Sequence, residues 1–173
     1  MVGNGPHRYE SYGVAMALSA DIPRVNTPTG GWHGEMPGPF LTECDEPLSP
    51  DAPDLRGTWR PIEVLMNGEP APKSLPLWNH VERIEQAGRR TIITAGHVIH
   101  DFLVVDGTFE NGCHDVFEMD LTTPLIVAAS YEDDVLVLRP TDLDGVEVRR
   151  QKDGEYLLWQ YHTAFTMKME RIN

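Results

Sequence analysis

From Leu55 onward, short apolar or alternating runs are broken by turn residues at regular spacing. Gly57–Met66 precedes Asn67-Gly68, Trp78–Gln86 precedes Ala87-Gly88, Arg89–Ala95 precedes Gly96, and Val98–Val105 precedes Asp106-Gly107. Cys113–Leu121, Leu125–Tyr131, Val135–Arg139, Val146–Gln151, Glu155–His162 and Phe165–Arg171 follow, separated by Glu132-Asp133-Asp134, Pro140 and Asp153-Gly154 among others. Strand-length runs joined by hairpin chemistry, with no helical period after Leu55, predict an all-β chain: an up-and-down antiparallel β-barrel of roughly ten strands. α/β folds are excluded on the same ground, and the glycine-rich nucleotide motifs are absent.

Residues 1–54 differ in character. Eight of the 14 prolines fall there, which excludes a long helix or a central strand. The segment is expected to be an extended arm, or a lid over a pocket mouth, attached to a barrel of residues 55–173. Tyr9, Tyr12, Trp32, Met36 and Phe40 are its expected anchors, on its own barrel or on a second copy of the chain, so a homo-oligomer joined through the arm is expected.

The length, 173 residues, suits one domain that buries about two thirds of its unfolded surface. With 14 basic and 27 acidic residues the net charge is -13, which repels phosphate backbones and anionic membrane surfaces. No nucleic-acid or membrane partner is expected. No run approaches the ~20 apolar residues of a membrane span, and Gly13–Ala20 is too short and too weakly preceded by charge for a signal peptide. Cys44 and Cys113 admit one bridge at most, and a cytoplasmic protein with free thiols is expected.

Strand phase identifies candidate interior residues. Phe165, Met167 and Met169 share one face, as do Leu157, Trp159 and Tyr161. In Cys113–Leu121 the face of Cys113, Phe117, Met119 and Leu121 also carries Asp115. Val98–Val105 is apolar on both faces, so phase leaves open whether His100 or Asp101 points inward. His80 shares a face with Trp78 and Ile84 near the start of a strand. General acid/base chemistry needs neighbouring titratable groups in a perturbing environment, and His100, Asp115 and Tyr161 make such a set, with His80 at the mouth. Trp78, Phe102, Phe117, Trp159 and Met167 would supply the ligand-binding surface.

Other chemistry finds less footing. His97 and His100 fall on opposite faces of a regular strand, so no metal site is expected. No nucleophile elbow occurs, Cys113 is in an apolar phase, and the acidic turns at Glu132–Asp134 and Asp142–Asp144 are expected to be solvated loop tips.

Leu55-Arg56-Gly57-Thr58-Trp59 at the first strand, with Arg171 in Met169-Glu170-Arg171-Ile172 at the last, resembles the calycins, the lipocalins and fatty-acid-binding proteins. The resemblance implies that Trp59 plugs the barrel floor with Arg171 lying over its ring. It departs from that group in having no helical cap between the first two strands and in carrying the proline-rich arm. Cofactor-free barrel enzymes such as pyocyanin demethylase look similar in strand number. Two functions are therefore expected: first, a cofactor-independent isomerase, cyclase or lyase acting on an apolar or aromatic molecule inside the barrel; second, a carrier for such a molecule. Carriers of the resembled group usually need an interior cation, and none of Arg60, Arg83, Arg139 and Arg149 clearly points inward. A structural subunit that exchanges its arm is a third expectation.

Overall fold

In the computed structural model of the protein, residues 17–173 are described; Tyr9, Tyr12 and the first half of Gly13–Ala20 lie outside them. The strands are β1 (Gly57–Met66), β2 (Glu69–Pro70), β3 (Glu82–Ala87), β4 (Arg90–Ala95), β5 (Val98–Phe102) and β6 (Cys113–Val116), then β7 (Pro124–Glu132), β8 (Val135–Pro140), β9 (Val148–Asp153), β10 (Tyr156–Tyr161) and β11 (Phe165–Arg171). They form one antiparallel sheet in the order β5-β4-β3-β1-β11-β10-β9-β8-β7-β6, with the short β2 on β1. The end strands β5 and β6 come beside each other without a backbone ladder. The result is a nearly closed barrel, as the pattern predicts.

Turn chemistry sets the hairpins. Asn67-Gly68, Gly96-His97 and Asp133-Asp134 all have positive φ at both central residues, the geometry that matches the twist of the flanking strands. Where the chain breaks from the predicted strands, a local cause is visible. Pro72 and Pro76 cannot donate to a ladder, so Trp78 falls in a 3-10 turn, Pro76–Asn79, and β3 starts only at Glu82. The predicted strand Cys113–Leu121 stops at Val116, because Asp120 accepts from the Thr122 and Thr123 backbone N–H groups and turns the chain. Met119, expected on the inner face, is consequently 87% exposed. β1 shifts register between Pro61 and Glu63, where proline has no N–H to offer.

The floor of the barrel follows the calycin-like expectation. Trp59 is fully buried, its Nε1–H donates to the Leu55 carbonyl at 3.0 Å, and the Arg171 guanidinium lies 4.8 Å from its ring centre. Gly57 makes room for that arginine: at φ 141° a Cβ there would stand 2.9 Å from Arg171 Nε. Above the floor, the paired interior rungs Leu157–Met169 and Trp159–Met167 fill the barrel, and Tyr161–Phe165 reaches its other end.

Residues 17–54 add no strand to the sheet. They cover the outer face of β3, β4 and β5, where Leu41, Ile92 and Ile99 form a second apolar cluster with Ile22, Val25, Trp32 and Phe40. This cover explains why Val98–Phe102 is apolar on both faces. Arg90 fastens it: Nε and Nη2 bond to Asp101, while Nη1 donates to the Ser19 and Ile22 carbonyls and Nη2 to that of Pro23. Thr27 spans the open seam. Its hydroxyl accepts from the Ile99 N–H of β5 at 2.8 Å, and its own backbone N–H donates to Asp115 of β6 at 2.9 Å. Cys44 and Cys113 are free thiols. No helix among the described residues is long and apolar enough to cross a membrane.

Candidate functional site

The end of the barrel away from Trp59 holds a cavity of about 120 Å³. Ile93, Ala95, Val98, Val127, Leu138 and Val148 give it an aliphatic wall, and Phe102, Phe117, Trp159 and Tyr161 an aromatic one. Alternation along β4, β5, β7, β8, β9 and β10 sends all of these except Phe117, which follows the end of β6, to the inner face. Four polar side chains join them: His80, His100, Glu118 and Arg150.

Arg150 is the residue that phase reasoning missed. Its side chain is 6% exposed, and its Nε and Nη2 each donate to a Glu82 oxygen at 3.0 Å. His80 Nε2–H donates to the same carboxylate at 3.0 Å. Trp159 packs against both side chains, with the His80 ring stacked 4.5 Å from it and the Arg150 guanidinium 4.8 Å from its ring centre. Burial by itself would raise the Glu82 pKa, but the Arg150 charge and the His80 and Arg150 hydrogen bonds outweigh that and hold it at about 2. The pair is therefore ionised, mutually neutralised and out of water. At the β4–β5 turn, Glu118 adds a second carboxylate: a Cβ on Gly96 would meet its Oε2 at 2.5 Å.

The predicted residues are partly gathered here. His80, His100, Phe102, Phe117, Trp159 and Tyr161 all line the cavity. Asp115 is not among them: its carboxylate accepts from Thr27 and from the Val116 N–H. His100, inward where Asp101 is outward, donates from Nε2 to the Val116 carbonyl at 3.0 Å. His100 and Asp115 thus each bind backbone across the seam and form no acid/base pair with one another. Tyr161 stacks on Phe165, and burial first, then the Glu118 charge, pushes its phenol pKa up. Trp78 sits apart, under the Lys73 ammonium at 3.2 Å, and Met167 is buried in the packed rungs below the cavity. Among the described residues no three His, Cys, Asp or Glu side chains are grouped to hold a metal ion.

Fold and site together define an antiparallel β-barrel with a small, mostly apolar interior cavity and one buried ion pair in its wall. No family model matches the chain, and no curated protein matches it. Among solved structures the chain is similar to human cRBP IV at 12% identity, over 68% of this chain and 98% of that one, with a TM-score of 0.49. The expected likeness to pyocyanin demethylase finds no support in the comparisons.

Proposed function

We propose that the protein binds a small hydrophobic molecule inside the barrel, without chemistry. The observation that carries this reading is the cavity itself, walled by aliphatic and aromatic side chains on strands that hold them in place. The enzymatic alternative loses its footing with the acid/base set, since Asp115 is committed to the seam and His100 to a backbone carbonyl. Size narrows the ligand. A cavity of about 120 Å³ is near the volume that accepts one benzene ring and well below that of a drug-sized site. A monocyclic or short-chain compound fits.

Calorimetric or ligand-observed NMR titration with toluene, ethylbenzene and propylbenzene tests this. Each added methylene contributes about 0.8 kcal/mol while it is still buried, roughly a fourfold gain in affinity, and the gain ends once the cavity is full. Ala95→Phe, which places a ring in the cavity, is expected to abolish binding while the far-UV spectrum and melting transition persist. Equal binding by the wild type and a folded Ala95→Phe protein would remove the barrel interior as the site.

A further inference from the structure

Arg90 and Arg150 are both buried and both paired with a carboxylate, yet only Arg90 is saturated. Carbonyls of residues 19–23 and Asp101 use all three of its nitrogens. On Arg150, Nε and Nη2 are taken by Glu82, while Nη1 is buried with no hydrogen-bond partner among the described residues. The Trp159 indole Nε1 is in the same condition. Arg150 and Trp159 are 5% and 4% exposed, stack on each other and both line the cavity. Native interiors rarely leave such donors unmatched, and two of them in one stacked pair on a cavity wall mark the place for an acceptor.

The charge of the site says which acceptor. Among the described residues Arg150 is the only lysine or arginine on the cavity wall, and Glu82 already balances it; Glu118 contributes a further negative charge. A carboxylate or phosphate brought here would be a buried, unbalanced anion. A carbonyl oxygen carries no charge and no proton and has two lone pairs, so it suits two donors.

We propose that the ligand is an uncharged carbonyl compound of single-ring or short-chain size, its oxygen accepting from Arg150 Nη1 and Trp159 Nε1. The proposal rests on the cavity being a ligand site. Its apolar remainder packs against Phe117, Val127 and Leu138, which face the same space.

The test compares acetophenone, ethylbenzene and benzoate, which are close in size, by titration of the full chain at neutral pH. Wild type, Trp159→Phe and the Glu82→Met/Arg150→Met double variant are used; the double variant replaces the ion pair as a unit so that no lone charge stays buried. The quantity read is the ratio of acetophenone to ethylbenzene affinity, in which general changes of cavity shape cancel. It is expected to fall about threefold in Trp159→Phe and about tenfold in the double variant, with benzoate the weakest ligand of wild type. An unchanged ratio in a folded Trp159→Phe protein overturns the carbonyl subsite and leaves the cavity reading standing, as does benzoate binding as tightly as acetophenone. Failure of all three compounds to bind wild type overturns both. If the double variant does not fold, Trp159→Phe decides alone.

Discussion

Glu82 shows how much a single residue controls here. It is fully buried, and its pKa is held at about 2 against an ordinary 4.5 by Arg150 and His80. A group depressed in the folded state contributes stability that is complete above its unfolded pKa and is lost as pH falls through the folded one. The contribution of Glu82 is therefore present above about pH 4.5 and fades toward pH 2. Glu82→Gln is expected to cost about 3–5 kcal/mol at neutral pH by leaving Arg150 as a buried, unmatched charge. It is also expected to flatten the acid limb of stability relative to wild type. Urea denaturation of both proteins from pH 2 to 7 checks this; parallel acid limbs would show that other carboxylates carry the loss. The sequence contained a signal for both members of the pair. Arg150 keeps phase with Val146 and Val148, and Glu82 lies between His80 and Ile84 on one face. Composition favours solvent for such residues, and only the presence of each makes burial of the other tolerable.

Elements were the most legible level, because hairpin chemistry is local. Paired positive φ values fall where glycine, asparagine and aspartate mark the turns, and β10 and β11 bury the faces their alternation assigns. The misreadings came where a side chain capping its own turn, or a missing N–H, overrode alternation, as at Asp120 and Pro76. β6 is closely constrained at its start. Gly112, just before it, has its hydrogen where a Cβ would sit 1.9 Å from the Val127 carbonyl oxygen of β7. Gly112→Ala must push the two backbones apart, and a loss of about 2–3 kcal/mol is expected, with faster amide exchange along Cys113–Val116. Unaltered stability by denaturant titration would mean that β6 has slack the close approach conceals.

At the scale of the molecule, the barrel is closed by contacts of two kinds. Inside, His100 of β5 reaches the Val116 carbonyl of β6; outside, Thr27 bonds to Ile99 and Asp115, and Arg24 donates to the Gly112 carbonyl. Residues 17–54 thus act on the seam as a strap rather than as a further strand, since Pro23 and Pro28 bracket the part that crosses it. Thr27→Val removes the hydroxyl that satisfies the Ile99 N–H, and an unmatched buried donor costs about 1–3 kcal/mol. Loss of stability in that range, with selectively faster exchange of the Ile99 amide, is the expected outcome. Exchange unchanged at Ile99 would show that the seam is held from the inside alone.

The sequence by itself determined the strands, most of the turns, the inner faces of β10 and β11 and the Trp59–Arg171 floor, because each depends on local conformational preference, period-two alternation or one recognisable pairing. Tertiary structure alone decided that the N-terminal segment covers β4 and β5, that Asp115 serves the seam while His100 faces the cavity, and that Arg150 and Glu82 meet 68 positions apart. Those outcomes turn on which charges and donors find partners across the barrel, and a partner distant in the chain leaves no periodic trace in it.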